Sequence, residues 1–393
     1  MAKRQDETLF SLLDRRGKSE LLALRRRESF YCPVCNGNVQ MRLGSKRIWH
    51  FAHLKGHDCT FETEAESAYH LNGKKWLYEW LSVQEIKAKL EPYLPLLKQR
   101  PDLLARLHSN DIPLEFQCSS MDPLLLVKRT ESFQKAGMDP IWILGGNRLK
   151  RTGMNIFQIP QMDWLTLRKA SMAGPNVFLL YFCPETKQFA VLSNIIPYNA
   201  SKVFASIHYL PISSFSIHDL YRISQPRSFK PPAFWLKVKE RWRLNAFRSR
   251  TRSHLYVRNL FGHLSLIPPA AGLPTPHLFL IETPVFLWQS WLFHRFYLEW
   301  PAGKKISLAH IKSAFRSLVL QGIFQVRHLP LISISDETPA LLEYLCCLER
   351  FGYLRRIGEN AFVKVPDSFR QVSTVEEISR RDYEYFEKID GIF

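Results

Sequence analysis

At 393 residues, 46% hydrophobic and 23% charged, the chain is too long for one small domain and too apolar for a disordered tail. Lys and Arg number 54 against 36 Asp and Glu, and the formal charge of +18 points to a polyanionic partner, since each neutralised phosphate releases counterions. Seven Cys, an odd and uneven set, exclude a disulfide framework, and no run approaches the ~18 apolar residues of a membrane span.

The plainer reading of the charge is a basic soluble protein with no such partner. The greasiest stretch, His277 to Trp300, is interrupted by Glu282, Gln289, His294, Arg295 and Glu299, so no membrane insertion is expected. No apolar block follows the basic residues at the start, which argues against a secretory signal and for a cytoplasmic location.

Residues 1 to about 30 alternate apolar and charged positions (Leu9-Phe10, Leu12-Leu13, Leu21-Leu22, Leu24), a pattern open to strands or a short helix. Next comes a compact Cys/His cluster: Cys32-Pro33-Val34-Cys35, His50-Phe51-Ala52-His53, His57 and Cys59. A C-x2-C knuckle supplies two thiolates to zinc from one tight turn, and two more ligands complete a tetrahedron. His53 and Cys59 are the expected second pair, with His50 the alternative ligand, since strand alternation sets it on the face opposite His53. Such a closed set makes Zn2+ structural rather than catalytic; a buried Cys pair with unrelated His residues is the other possibility.

A capping box, Thr63-x-x-Glu66, opens a helix to about Leu81 with Ala65, Tyr69, Trp76, Leu77 and Trp80 at helical spacing. A Pro-rich approach (Pro92, Pro95) leads into hairpin grammar, Asp102 to Leu107 and Pro113 to Cys118 around Ser109-Asn110-Asp111. A helix from about Pro123 to Ala136 and a buried strand, Ile141 to Leu144, follow.

Three acids stand in order here: Glu66 on the helix, Asp102 opening one strand, Glu115 in the next. With the turn centred near Ser109-Asn110, Asp102 lies diagonal to Glu115 on one face of the hairpin. Two carboxylates there are costly without a cation, and the oxygen donors suit Mg2+ or Mn2+, which can activate water against a phosphodiester. Glu66, His70 and Lys74 recur every four residues, each step turning about 40° around the axis, so they share one face. Taken singly, Glu66 is a capping residue, His70 a core histidine and Lys74 a surface lysine; their order with the hairpin acids favours a site.

From Phe234 to Arg258, Lys237, Lys239, Arg241, Arg243, Arg248, Arg250 and Arg252 alternate with Trp235, Trp242, Phe247 and Tyr256. Cations for phosphates and rings for unstacked bases make a DNA-binding surface; an amphipathic helix with core aromatics fits equally. Thr338 to Glu349 reads as a helix, followed by strands at 350–356 and 361–365, a winged-helix-like ending near 338–366. Ser373-x-x-Glu376 caps a last helix to about Ile389.

Together, Tyr31-Cys32-Pro33-Val34-Cys35, His50-Phe51-Ala52-His53, Glu66-Ser67-x-x-His70-x-x-x-Lys74, Arg100-Pro101-Asp102, Glu115-Phe116-Gln117-Cys118-Ser119 and Ile141-Trp142-Ile143-Leu144 look like the motifs of the CoiA competence proteins. The resemblance covers about residues 30–145. It implies an α/β chain with a restriction-endonuclease-like core of the PD-(D/E)xK class, acting on DNA entering transformable bacteria beside recombination and DNA-uptake proteins. The expected division is a strand and zinc-type module at 1–62, the nuclease-like core at 63–165 and a basic α+β region at 166–393.

In that class the metal-binding Asp and (D/E) map onto Asp102 and Glu115, with Glu66 as helix acid, while the usual Lys falls on Gln117. An ammonium neutralises developing charge; an amide only hydrogen-bonds. The resemblance therefore implies either a nuclease, with Lys74, Lys128 or Arg129 supplying the missing charge, or a scaffold that keeps the fold to bind single strands or junctions. Arg129 matches a family arginine; four positions on, the family's frequent Tyr is Phe133 here.

Overall fold

The computed structural model describes the chain except residues 1, 7, 11, 13–16, 33–35, 45–48, 55–66, 170–174, 222, 224–231, 233, 335, 367–373 and 390–393. It divides into two compact units, residues 1–149 with 179–191 and 208–222, and residues 150–178 with 192–207 and 223–393.

The N-terminal stretch contains both of the forms its sequence allowed: β1 (Ala2–Lys3), β2 (Leu9–Phe10), α1 (Lys18–Arg27), β3 (Phe30–Tyr31), β4 (Asn38–Arg42) and β5 (His50–His53). The strands make an antiparallel sheet in the order β2-β1-β3-β4-β5. Ala2, Phe10, Leu21, Phe30, Met41 and Leu43 form its core, with Phe51 packed against it. The rings of Phe10, Phe30 and Phe51 lie 5.2 to 6.4 Å apart, so aromatic contacts carry much of this small core.

The rest of the first unit starts with α2 (Ala68–Val83), whose N-cap Ser67 accepts a hydrogen bond from the His70 amide at 3.2 Å. Thr63 and Glu66, the expected capping box, lie outside the described residues. Then come β6 (Lys87–Leu90), β7 (Leu103–Leu107), β8 (Asn110–Gln117), α3 (Pro123–Lys135) and β9 (Ile141–Gly145). β6, β7 and β8 are antiparallel, β8 and β9 parallel, and 179–183 continues the sheet parallel to β9, with Tyr181 opposite Leu144. β9 is buried throughout, as a parallel strand covered on both faces must be. Asp122 caps α3 by accepting from the Leu124 amide at 3.0 Å, and Pro123 occupies the first turn, where its missing N–H costs nothing.

The second unit begins with β10 (Lys150–Arg151), β11 (Ile156–Gln158), the short α4 (Gln161–Trp164) and β12 (Arg168–Lys169). Its residues from β13 (Val177–Cys183) and β15 (Lys202–Pro211) pair with these, β12 on β13 and β11 on β15, and β14 (Gln188–Pro197) lies between β13 and β15. Helices α5 (Trp235–Asn245), α6 (Arg252–Phe261) and α7 (Val285–Phe293) follow. Every residue of α7 is buried, so the centre of the greasiest stretch of the sequence is a nine-residue core helix. Among the described residues no helix is long and apolar enough to cross a membrane.

The chain ends with β16 (Lys305–Ser307), α8 (Leu308–Leu320), α9 (Thr338–Arg350), the hairpin β17 (Leu354–Gly358) and β18 (Ala361–Lys364), and α10 (Val375–Ile389). The strands order as β16-β18-β17. α9 buries Ala340, Leu341, Tyr344, Leu345, Cys347 and Leu348 and leaves Arg350 exposed at its end. In the hairpin, Arg356 is held by Glu349 at 3.0 Å.

Candidate active site

The β7–β8 hairpin, the turn that precedes it and two helices bring the site together. α2 presents His70 and Lys74 one turn apart on the face expected from their spacing. Gly73 between them lets the helix close on β8: a Cβ there would stand 1.9 Å from the Phe116 ring. The His70 imidazole lies flat on that ring, 5.8 Å between centroids and 9° between planes.

β7 and β8 turn through His108 and Ser109, pairing Leu107 with Asn110 and Leu103 with Leu114. One step further, Asp102 stands opposite Glu115, where the sequence had suggested a diagonal. The two-residue turn, with His108 in the left-handed region at φ 54°, sets this tighter register. Asp102 is gripped from the side of α2: its Oδ2 accepts from the Phe116 amide at 2.8 Å and meets His70 Nε2 at 3.3 Å. Lys74 Nζ lies 3.8 Å from Oδ1. Glu115 is instead met from α3, as an ion pair with Arg129, which also donates to the Arg100 carbonyl at 3.3 Å.

Two further residues complete the cluster. Glu91 follows β6 with φ 47°, a strained conformation for a side chain other than Gly, and takes Lys74 at 2.5 Å and Arg100 as partners. Glu91 is the only acid from 91 to 101, and that isolation in a Pro-rich approach is the signal that could have identified it. Lys74 is 1% exposed and lies between two carboxylates, so it is not the surface lysine that it could have been taken singly.

These contacts divide the acids. Burial works against ionisation of Asp102, but the His70 hydrogen bond and the Lys74 charge outweigh it and hold the carboxyl below its ordinary value. Glu91 is held far below for the same reason, with burial opposed by Lys74 and Arg100. Glu115 goes the other way, pushed up to about 7 by burial and by the Asp102 charge against the pull of Arg129. Such a split between adjacent carboxyls makes the pair a candidate site.

Gln117 lies on β8 two residues beyond Glu115, and its amide donates to the Ser119 carbonyl at 2.9 Å. Glu66 is outside the described residues. The donor set fits a hard cation: oxygens only, from Asp102 and Glu115 on neighbouring strands, with Glu115 still short of positive charge despite Arg129. Mg2+ takes its remaining positions from waters and substrate phosphates, so two carboxylates suffice.

In the N-terminal module, Cys32 is buried in the turn between β3 and β4, its amide donating to the Gly37 carbonyl at 2.8 Å. His50 and His53 are half-buried on β5, opposite Arg42 and Val39. Cys35 and Cys59 lie outside the described residues. Among the described residues no three His, Cys, Asp or Glu group to hold a metal, so Cys32 and His53 are the described part of the expected zinc set.

The basic segment proves mixed. Arg241, Arg248, Arg250 and Arg252 are exposed, as are Leu244 and Phe247, and the Arg248 guanidinium stands 5.5 Å from the Phe247 ring centre. Arg243 corrects the expectation: it is buried and makes a two-pronged ion pair with Asp382 of α10, joined by Lys239 at 2.8 Å. Trp235 and Trp242 pack on Phe286; Trp235 is buried and belongs to the core, while Trp242 is half-buried.

The family model described as competence protein CoiA, nuclease-like domain, matches residues 66–225. Those for the N-terminal and C-terminal domains of the same proteins match 13–62 and 231–378. A competence protein CoiA of Bacillus subtilis (strain 168) is 32% identical over 366 residues, covering 90% of this chain and 94% of that one. No solved structure gives a significant match.

Proposed function

The chain belongs to the CoiA family of competence proteins, and on that premise we propose that it is a divalent-metal-dependent DNA nuclease. Its substrate is single-stranded or branched DNA, cut in the cytoplasm as incoming DNA is recombined. The observation that carries this reading is the pair of opposed carboxylates with split proton affinities, Asp102 ionised and Glu115 near 7.

Asp102 and Glu115 would hold Mg2+ or Mn2+, which when bound polarises a phosphodiester and lowers the pKa of water. Asp102 is kept ionised and aimed by the Phe116 amide and His70. Glu115, ionised where it would hold the cation, is placed to orient an attacking water. Lys74 supplies from α2 the ammonium that Gln117 lacks; it acts through Asp102 and Glu91 as a positioning residue. Gln117 contributes an amide alone. Cys32, Cys35, His53 and Cys59, with His50 as alternative, would hold a structural Zn2+ in the N-terminal module. Arg241, Arg248, Arg250 and Arg252 would take DNA phosphates.

The engagement of Gln117 with Ser119 favours a second reading, a DNA-binding scaffold with the nuclease fold and no cleavage. Labelled single-stranded, duplex and branched DNA, incubated with Mg2+ or Mn2+, decides between them. Cleavage by the wild type that Glu115→Gln and Asp102→Asn lack establishes the nuclease. Tight binding by all three proteins with no cut strand establishes the scaffold.

A further inference from the structure

The approach between β6 and β7 forms a turn of unusual build. Glu91 and Asp102 pair at its base, the Glu91 amide donating to the Asp102 carbonyl at 2.9 Å, and Leu94 bridges Gln99 higher up. The tip, Pro95 to Lys98, is closed by the Leu97 and Lys98 amides on the Leu94 and Pro95 carbonyls, both at 3.2 Å. Pro92 and Pro95 fix their own φ angles, and Lys98 sits in the left-handed region at φ 51°. Below it the Arg100 guanidinium ties the turn down, donating to the Glu91 carbonyl at 3.0 Å. This is a stiff projection, not a slack loop.

At its apex Leu96 is 99% exposed. A single exposed leucine is ordinary; one held at the tip of a braced turn rooted in two site carboxylates is not. Residues 92 to 101 contain no acid, and Lys98 is exposed beside Leu96, so the turn's charge suits a phosphate backbone. At ~3.3 Å per residue, Leu96 stands within about 17 Å of Glu91, the rise of about five stacked base pairs.

We propose that Leu96 is a wedge, inserted between bases of a duplex beside the strand held at Asp102 and Glu115. This deepens the nuclease reading and rests on it: the substrate becomes duplex DNA at a fork, where one base step is already weakly stacked. An apolar side chain between bases replaces part of the lost stacking, and a proline-braced turn inserts it without first losing conformational entropy.

The test uses full-length protein without added divalent cation, and forked duplexes with 2-aminopurine at successive positions near the fork. Binding is followed by anisotropy on the same DNA. Wild type should raise 2-aminopurine emission at one step. Leu96→Ala, at a fully exposed position, should bind within about twofold of wild type yet lose that rise, because phosphate contacts carry most of the affinity. Leu96→Phe should restore it. Saturated binding by wild type with no rise at any step, or a full rise with Leu96→Ala, overturns the wedge and leaves the nuclease reading standing. No binding to any DNA, either without divalent cation or with Ca2+ in place of Mg2+, overturns both.

Discussion

Glu115 and Arg129 close an ion pair between β8 and α3, yet the carboxyl of that pair is pushed up to about 7 from an ordinary 4.5. Burial and the Asp102 charge outweigh the guanidinium. The folded chain therefore holds this proton more tightly than the unfolded chain does. The resulting stability is whole below about pH 4.5 and is lost as the pH rises through about 7, an effect of roughly 3 kcal/mol. Asp102 and Glu91 have the opposite sign: both are depressed, so their contribution is present at neutral pH and lost on acidification. Urea unfolding across that range should show wild type falling relative to Glu115→Gln. Parallel curves would count against the buried carboxyl.

Gly73 sets how closely α2 approaches the sheet. In Gly73→Ala the new methyl meets the Phe116 ring and forces apart the two elements that aim His70. The expected loss is about 1–3 kcal/mol in denaturant unfolding, as for other overpacked sites. Phe116→Leu, placed on top of it, should recover part of that loss. If the double variant is less stable than the sum of the single ones, the clash is elsewhere.

Lys74→Met removes the enclosed cation shared by Glu91 and Asp102. Breaking a buried pair from one side costs roughly 3–5 kcal/mol. Without that charge Asp102 ionises at a higher pH, so a carboxyl titration followed by NMR in the metal-free protein should move upward at Asp102. An Asp102 titration that stays in place would remove Lys74 from any role beyond packing.

Arg241, Arg248 and Arg250 are exposed while Arg243 is enclosed, and the two groups should respond differently. Replacing the exposed three by Gln should flatten the plot of log affinity for single-stranded DNA against log salt by about 2, near 0.7 per phosphate contact. Arg243→Gln should leave the slope alone and lower stability, since it strips Asp382 of its two-pronged partner.

Local signals account for what the sequence disclosed. Asp122-Pro123 marks the start of α3, Ile141 to Leu144 reads as a fully buried strand, and the two runs around Ser109 fold as a hairpin. His70, Lys74, Asp102 and Glu115 were found because spacing and residue type suffice to place them near one another. Glu91 and Arg100 were not, because their pairing depends on a backbone turn with positive φ at Glu91 that no periodicity encodes. The burial of Arg243 was equally illegible: its partner Asp382 lies far along the chain, and an arginine in a basic run looks the same whether solvated or enclosed. The parallel pairing of 179–183 with β9 is hidden for the same reason, a contact between distant segments.

Every described side chain of the candidate site, from His70 on α2 to Arg129 on α3, comes from one uninterrupted stretch of chain. Contacts of short sequence separation close early, since little loop entropy is lost in forming them. During synthesis the whole constellation has left the ribosome well before the second unit's helices are made, so its assembly follows the order of translation. A truncated product ending after β9 would carry an intact set of site residues without the basic surface of α5 and α6.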